Sequence, residues 1–303
     1  MTISPKDMKR IMTSPYRLLP VAERYLLENN VEKSMERDKL HLHPSEICKR
    51  DWCPRSSYYR ILGLPEPAES FTLQRLNVFA EGNLIHQKWQ DWLTEAGVME
   101  GIEVSILDEA HRIMGHADGV VNDKHGRAVL EIKSIGIGTV RFEDIGLFMR
   151  YANKEISFDD VWTNIRHPFD SHVRQVQLYM HCLDISEGII IYEWKATQEV
   201  KEFSVKFQPE FVNPILASCL SVIRSLESMV APDRPSWLFR EHKVCKSCPF
   251  KTECWNEGSG AVNNPSGGGI QQQVSVAVKT SGFDTGDAGE FGRIVRLPVD
   301  ATV

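Results

Sequence analysis

The segment GHADGVVNDKHGRAVLEIKS (Gly115–Ser134) consists of two apolar, strand-like runs joined by the polar stretch NDKHGR. A turn signal between two such runs predicts a β-hairpin. Each strand nevertheless carries an acid where a buried sheet favours valine or isoleucine, namely Asp118 in the first strand and Glu131 in the second. Lys133 follows two positions later. The segment therefore predicts a hairpin within a sheet and gives that hairpin an unusual pair of acids.

The register of this hairpin follows from the position of its turn. If the turn centres on Lys124–His125, Asn122 lies opposite Arg127 and, by the same count, Asp118 lies opposite Glu131. Directly opposed side chains in an antiparallel sheet have Cβ atoms roughly 4.5–5.5 Å apart, so two carboxylates in that geometry repel each other. A hard divalent cation that binds their oxygens would turn the repulsion into coordination.

The lysine adds a third charge to the same surface. Glu131 and Lys133 are two positions apart on one strand, so their side chains share a face of the sheet. Two carboxylates and an ammonium suit metal-assisted phosphodiester hydrolysis, in which a metal activates water and a lysine stabilises negative charge. On these residues alone, the alternative is a twisted hairpin with polar side chains on its solvent side.

Composition limits the class of protein. The 303-residue chain, with 42% hydrophobic and 25% charged residues, fits a globular protein of one large or two small domains. No apolar run approaches the roughly 20 residues of a membrane span, and the N-terminus lacks the apolar core of a signal peptide. We therefore expect a cytoplasmic protein without a membrane partner. A net charge of -6 disfavours a broad nucleic-acid-coating surface but permits a local basic groove.

Hydrophobic periodicity predicts helices and strands in alternation. In the second predicted helix, the expected core positions are Leu73, Leu76, Phe79, Trp89 and Leu93. The predicted helices cover residues 17–38, 71–96, about 140–150, 170–184 and about 209–229. The predicted strands are IEVSILD, RIMGHADGVVN, AVLEIKSI, GIIIYEWKAT and VKEFSVKF.

Two further patterns fall on predicted helices. EGNLIHQKW contains G-x-x-x-H from Gly82 to His86, and the imidazole could be a third metal ligand. QVQLY places Gln175 and Tyr179 four residues apart, on one helix face. Taken singly, the histidine is also compatible with a structural role and the glutamine–tyrosine pair with an ordinary amphipathic helix.

The ordered set G-x-x-x-H, G-x-x-D, E-x-K and Q-x-x-x-Y resembles the RecB-like branch of the PD-(D/E)xK nucleases. The resemblance covers about residues 45–255. It implies an α/β fold with a restriction-endonuclease-like core, a mixed central sheet flanked by helices. It also implies a Mg²⁺ or Mn²⁺ site formed by His86, Asp118, Glu131 and the main-chain carbonyl of Ile132. The catalytic residues that it implies are Asp118, Glu131, Lys133, Gln175 and Tyr179.

The cysteines form a second cluster in the sequence. VCKSCPFKTEC places Cys245, Cys248 and Cys254 at metal-ligand spacing, and a fourth thiolate must come from elsewhere, either Cys53 or Cys48. In a reducing compartment, clustered cysteines indicate metal binding rather than disulfides. Four thiolates suit a 4Fe–4S cluster or a structural zinc.

The arrangement of one early and three late cysteines is similar to the iron–sulfur subset of the same family. That subset includes the CRISPR-associated RecB-like exonucleases and the AddB-type nuclease domains. The resemblance favours 4Fe–4S over zinc and favours Cys53, which stands in a C-P-R setting before aromatic residues. Such a site would be a clasp that ties the N-terminal and C-terminal segments together and lowers the entropy of the unfolded chain.

The segment ICKRDWCPRSSYYRILG interleaves basic and aromatic residues. This combination suits single-stranded nucleic acid, because cations neutralise phosphates and rings stack on bases. We therefore take Arg55, Tyr58 and Arg60 as candidate nucleic-acid-binding residues. The alternative is an amphipathic helix with its tyrosines in the core and its arginines in water.

These patterns divide the chain into an N-terminal helical extension (1–44), a nuclease domain with the cysteine cluster (45–255) and a flexible tail rich in Gly, Asn and Gln (256–303). The expected function is metal-dependent exonucleolytic hydrolysis of DNA from free ends, with a preference for single strands. DNA repair, recombination or phage replication is the expected setting, and a helicase or recombination protein is a candidate partner. The alternatives are an endonuclease or flap nuclease of the same family and a non-catalytic DNA-binding subunit. The intact D…E-x-K set speaks against the last of these.

Overall fold

A five-stranded β-sheet forms the centre of the fold. Its strands are β1 (Met99–Asp108), β2 (Ile113–Asp123), β3 (Gly126–Ile135), β4 (Glu187–Trp194) and β5 (Val200–Lys206). They lie in chain order across the sheet, and every neighbouring pair is antiparallel except the parallel pair β3–β4. A parallel pair needs a long crossover, which here contains four helices. The mixed sheet confirms the expected α/β class.

The computed structural model describes residues 3–36, 38–66 and 72–256, without the side chains of 33–36. Its helices are α1 (Pro5–Met12), α2 (Leu19–Glu36), α3 (Pro44–Ile47), α4 (Pro54–Ile61), α5 (Leu73–Glu95), α6 (Ile137–Glu143), α7 (Ile145–Ala152), α8 (Phe158–Asn164), α9 (Asp170–Leu183), α10 (Pro209–Ser228), α11 (Lys243–Ser247) and α12 (Lys251–Asn256). None of the helices in these ranges combines the length and apolar composition of a membrane span. The predicted tail lies, after Asn256, outside the described residues.

Helices cover both faces of the sheet. On one face, α5 packs through Ile85 against an apolar layer that includes Leu130 and Ile132 of β3. On the other face, α9 and α10 contribute to a larger core around Val129 and Tyr192. The central strand β3 is therefore covered on both sides, and this burial determines the environment of every side chain that it carries.

The β2–β3 hairpin has the register predicted from its turn. Asn122 pairs with Arg127, and the ladder continues as far as Gly119 opposite Leu130. It stops one pair before Asp118 and Glu131. The Asp118 carboxylate instead accepts a hydrogen bond from the Ile132 main-chain N–H, with 2.6 Å from N to Oδ2. The two strands thus diverge at the acid pair, and a side chain replaces a main-chain partner there.

Local chemistry fixes the hairpin turn. The Asp123 carboxylate accepts a hydrogen bond from the His125 main-chain N–H at 2.8 Å. Gly126 follows with φ at +108°, a backbone conformation that glycine adopts with little cost. The NDKHGR segment therefore specifies where β2 ends and β3 begins.

The structure corrects two details of the predicted helices. The helix expected at about 140–150 is two short helices, α6 and α7, because Asp144 ends the first and caps the second by accepting a hydrogen bond from Leu147 N–H. In α5, Leu76 is buried as predicted, but Phe79 is 44% exposed. The prediction of Phe79 as a core residue was wrong, because this side chain lines an open cavity.

A buried ion pair holds α5 to the sheet. Glu193, at the end of β4, is 3% exposed and accepts hydrogen bonds from Lys88 Nζ at 2.6 and 2.7 Å. Trp89 Nε1 donates to the same carboxylate at 2.7 Å. Since Lys88 and Trp89 both belong to α5, one acid fixes the position of this helix along the strand.

Replacing Glu193 by alanine is therefore expected to lower the free energy of unfolding by about 1–3 kcal/mol, because a partly buried ammonium and an indole N–H lose their acceptor. Urea denaturation measures this as a lower midpoint at an unchanged slope. Glu202→Ala, at an exposed position of β5, is the matched control and should leave the midpoint unchanged. Equal midpoints for the two variants would contradict the assignment.

Candidate active site

Four charged side chains meet where β2 and β3 diverge. His86 of α5 lies beside Asp118, with 3.2 Å between Nδ1 and Oδ1. The ammonium of Lys133 is in ion-pair contact with Oε1 of Glu131. Glu131 has no exposed surface, and apart from this contact neither of its oxygens has a hydrogen-bond partner of normal geometry. Two acids and two bases from α5, β2 and β3 thus form one cluster, which we call the candidate active site.

Burial and charge shift the acid–base properties of this cluster. Burial raises the pKa of Glu131 to about 7; Lys133 opposes the shift and Asp118 reinforces it. Burial lowers the pKa of Lys133, but Glu131 and Asp118 raise it by more, so the ammonium stays charged. The pKa of His86 is likewise lowered by burial and raised on balance by Asp118. For each base, a neighbouring carboxylate therefore more than offsets the effect of burial on the pKa.

The metal-free protein, prepared with a chelator, is expected to lose stability as the pH rises from about 4.5 to about 7. Folding raises the pKa of Glu131, so in this range the folded chain holds a proton that the unfolded chain has lost. Deprotonation therefore favours unfolding. Urea unfolding at several pH values measures this slope, which should be reduced in Glu131→Gln and retained in Glu202→Gln. Parallel curves for the wild type and Glu131→Gln would contradict the burial effect.

The Q-x-x-x-Y pair of α9 lies next to this cluster. Lys133 Nζ donates to Gln175 Oε1 at 3.4 Å, and Gln175 Nε2 donates to the hydroxyl of Tyr179 at 2.9 Å. Tyr179 is 3% exposed, and burial raises its pKa far above the ordinary value. The structure thus connects Glu131, Lys133, Gln175 and Tyr179 in a chain of polar contacts.

One residue of the site has no counterpart in the sequence motifs. Gln90 is buried, and its Nε2 donates to the main-chain carbonyl of Asp118 at 2.9 Å and to Glu103 Oε1 at 3.0 Å. Glu103 lies in β1 with φ at +47°. Gln90 follows His86 by four positions and so shares its helix face, which is the signal that could have indicated it.

The donor set of the candidate active site suits a hard divalent cation. Carboxylate and carbonyl oxygens are the usual ligands of Mg²⁺ and Mn²⁺, and imidazole binds first-row metals. Within the described residues, no three His, Cys, Asp or Glu side chains are already grouped around one metal position. At this site the oxygens instead contact Lys133, His86 and the Ile132 N–H.

A small cavity brings together four of the seven cysteines. It lies between α4 and the C-terminal helices α11 and α12, and its lining includes Cys53, Cys245, Cys248 and Cys254. Burial raises the pKa of Cys53, and it raises the pKa of Cys248 to about 11. The other cysteines of this group raise both pKa values further. The four thiols thus line one cavity, although no three of them are already grouped around one metal position in the described residues.

Cationic side chains surround these thiols. Arg55, Arg234 and Lys251 also line the cavity, and Arg234 Nε donates to Cys254 Sγ at 3.4 Å. Hydrogen bonds to sulfur are a common feature around the thiolate ligands of metal sites.

The alternative early cysteine lies elsewhere. Cys48 is 2% exposed in the main core, and the charged groups that act on its pKa include Glu131 and Lys133 of the candidate active site. Of the two early cysteines, only Cys53 lies with the late three. This placement supports the choice of Cys53 as the fourth ligand, which remains a proposal.

The structure does not favour the predicted nucleic-acid contacts on α4. Arg55 and Tyr58 are 7% and 3% exposed, and Arg55 Nη1 donates to the Pro232 carbonyl at 2.8 Å. Arg60 pairs with Glu46 at 2.9 Å and donates to main-chain carbonyls. The basic–aromatic pattern reflects packing of α4 against α10 and the C-terminal helices, because Tyr58 and Tyr59 fill that core and Arg55 and Arg60 bond to main-chain carbonyls.

A larger and more open cavity adjoins the candidate active site. We call it the α5 cavity; its volume is about 380 Å³. It is lined by Val78, Phe79, Gly82, Asn83, His86, Ser134, Thr139 and Lys195. His86 belongs to both the cavity and the candidate active site. Sequence patterns did not indicate the cavity, because its lining comes from α5, the end of β3, α6 and the residue after β4.

Comparisons with known proteins give only distant likenesses. No family model and no curated protein matches the chain. Among solved structures, SSO0001 aligns with a TM-score of 0.44 and 18% identity over 76% of this chain and 94% of that one. An alkaline exonuclease, LHK-Exo from Laribacter hongkongensis, aligns with a TM-score of 0.42 and 12% identity over 65% of this chain and 93% of that one. A phage-related exonuclease from Haemophilus somnus 129PT aligns with a TM-score of 0.30 and 14% identity over 76% of this chain and 96% of that one. At TM-scores below 0.5 these likenesses carry no argument about function.

Proposed function

We propose that the protein is a metal-dependent deoxyribonuclease that hydrolyses phosphodiester bonds from free ends and prefers single strands. The observation that supports this proposal is the fully buried carboxylate of Glu131, which shares one cluster with Asp118, His86 and Lys133. Burying a charged group costs several kcal/mol unless its interactions offset that cost. A divalent cation bound between Asp118 and Glu131 would offset this cost.

The proposal assigns a role to each group. His86, Asp118, Glu131 and the Ile132 carbonyl would hold Mg²⁺ or Mn²⁺, which polarises a phosphate and lowers the pKa of bound water. Lys133 directs its ammonium to the charge that develops on the phosphate, since preorganised cations stabilise such charge without rearrangement.

Other residues keep these groups in position. Gln175 and Tyr179 hold Lys133 in the orientation that the ion pair with Glu131 defines. Gln90 fixes the main chain of Asp118. A catalytic group held by several partners in this way does not have to rearrange during the reaction, which is the condition for electrostatic catalysis.

The four clustered cysteines would hold a 4Fe–4S cluster in this proposal, with structural zinc as the alternative. Cys53 precedes the sheet in the chain, whereas the other three follow it. A metal at this position would therefore join segments that lie far apart in the sequence, and its binding energy would add to the stability of the protein.

The activity would serve DNA repair, recombination or phage replication. The chain contains no G-x-x-x-x-G-K-[ST] sequence and so no recognisable P-loop ATPase. An enzyme of this kind that acts on duplex DNA would use a helicase partner to supply single strands.

The experiment that tests the function compares four substrates in magnesium and in manganese: linear and circular single strands, and linear and closed circular duplex DNA. Linear single strands should be digested fastest, and both circles should persist. All cutting should stop when a chelator removes the metal.

Three outcomes would change the proposal. Rapid cutting of circular single strands would establish endonuclease action with the same metal site. Preferential cutting at the junctions of branched DNA would indicate a flap nuclease. Binding of DNA with no cleavage of any substrate in either metal would indicate a non-catalytic DNA-binding subunit.

A further inference from the structure

We propose that the α5 cavity binds one nucleotide of the substrate strand, with its base on the ring of Phe79 and a phosphate beside Lys195. This inference rests on the proposed nuclease function and adds to it a defined contact with the DNA strand.

The cavity and the candidate active site share a wall. His86 lines the cavity and contacts Asp118 at 3.2 Å. A strand whose phosphate lies among the candidate catalytic groups would therefore place a neighbouring nucleotide in this cavity.

The apolar end of the cavity suits a base. Val78 and Phe79 are large apolar residues, yet they are 49% and 44% exposed. The guanidinium of Arg75 lies 5.6 Å from the centre of the Phe79 ring, so this end also carries positive charge. Aromatic rings beside cations are the usual surface for bases of single strands, because every base has a face that stacks.

The polar side chains of the lining suit a phosphate. Asn83, Ser134 and Thr139 supply uncharged hydrogen-bond donors, and Lys195 supplies an ammonium. Lys195 pairs at 3.1 Å with Glu81, whose side chain is 48% exposed. An ion pair with so exposed a partner contributes little to stability, so a phosphate can take the place of Glu81 at low cost.

The dimensions favour one nucleotide. A volume of about 380 Å³ lies at the lower end of the roughly 300–1,000 Å³ that small-ligand sites occupy. This space accommodates one base with its sugar and phosphate rather than a base pair, which agrees with the proposed preference for single strands.

Binding of a labelled single-stranded oligonucleotide, measured by fluorescence anisotropy in the full-length Lys133→Ala background with magnesium, tests the inference. Phe79→Ala should weaken binding by about 5- to 150-fold, since a stacked base contributes about 1–3 kcal/mol. Lys195→Ala should weaken binding and reduce the slope of log K against log salt by about 0.7. Phe142 (75% exposed) and Lys206 (83% exposed) provide matched control positions. The affinities of the Phe142→Ala and Lys206→Ala variants for the oligonucleotide should stay within about twofold of that of the Lys133→Ala background.

An abasic scan separates a stacking contact from a general structural effect. One position of the oligonucleotide should lose affinity when its base is removed, and this loss should vanish in the Phe79→Ala variant. Phe79→Leu keeps the apolar bulk but removes the aromatic ring. The position-specific loss of affinity should therefore vanish in this variant, as in Phe79→Ala. A free mononucleotide, dAMP, should compete only weakly, because the strand supplies further contacts.

The outcomes distinguish this inference from the proposed function. The inference is overturned, and the proposed nuclease function remains, if the wild type cleaves DNA but the Phe79 and Lys195 variants bind like the controls. The same conclusion follows if no abasic position of the oligonucleotide loses affinity in a way that depends on Phe79. Competition by dAMP as strong as that of the strand would also overturn it in favour of a mononucleotide site. If the wild type neither binds nor cleaves DNA, the proposed function fails and the inference fails with it.

Discussion

Alanine in place of Asp118, Glu131 or Lys133 is expected to reduce DNA hydrolysis by at least about 100- to 1,000-fold, because each removes a group that acts directly on the metal or on the phosphate. Glu131 and Lys133 are in mutual contact, so the double variant should lose little more than either single variant. Initial rates on a linear single strand in magnesium and in manganese measure the effect.

Matched substitutions outside the cluster serve as controls. Lys124→Ala in the hairpin turn and Glu202→Ala on β5 alter exposed residues of the same chemical types and should retain wild-type rates. Glu131→Gln keeps the side-chain shape and separates loss of charge from loss of packing. Wild-type activity in all three alanine variants would place the chemistry elsewhere.

Replacing any one of the four cavity cysteines by alanine is expected to remove the metal and most of the soluble protein. Structural metal sites contribute on the order of 10 kcal/mol to folding, comparable to the whole stability of a domain. Protein purified without oxygen should be brown with a broad visible band, and the band and the bound iron should be lost in variants at Cys53, Cys245, Cys248 and Cys254. Iron and zinc analysis of each preparation measures the outcome.

The remaining cysteines are the controls for this experiment. Cys182→Ala and Cys48→Ala should keep the iron, since neither thiol lines the cavity. Loss of the visible band in the Cys48→Ala variant but not in the Cys53→Ala variant would make Cys48, rather than Cys53, the fourth ligand. Stoichiometric zinc without iron in anaerobic protein would replace the cluster by a zinc site.

The sequence predicted what depends on local pattern. Two apolar runs and the polar turn between them determine the hairpin, so Asn122 pairs with Arg127 as expected. The same count could not predict that the ladder ends at Gly119, because the divergence depends on the Asp118 side chain bonding to Ile132 N–H. The pattern thus placed the two acids near each other, and only tertiary structure shows how they are held.

Contacts between distant segments explain the other differences. Phe79 has the spacing of a core residue, but 44% of its surface is exposed beside the α5 cavity. The basic–aromatic pattern of α4 suggested a surface, whereas Tyr58 packs with residues such as Val222 and Phe250 from the far end of the chain. Periodicity shows which residues share a face and not what lies opposite that face.

The cysteine cavity also has a consequence for biosynthesis. Its walls come from α4, which the ribosome makes early, and from α11 and α12, which follow the whole sheet in the chain. A nascent chain therefore holds one of the four thiols until residue 245 has been made, and it holds all four only once residue 254 has been made. Any metal that the cavity holds is consequently acquired after translation of the sheet, and a chain truncated before α12 would emerge without the complete ligand set.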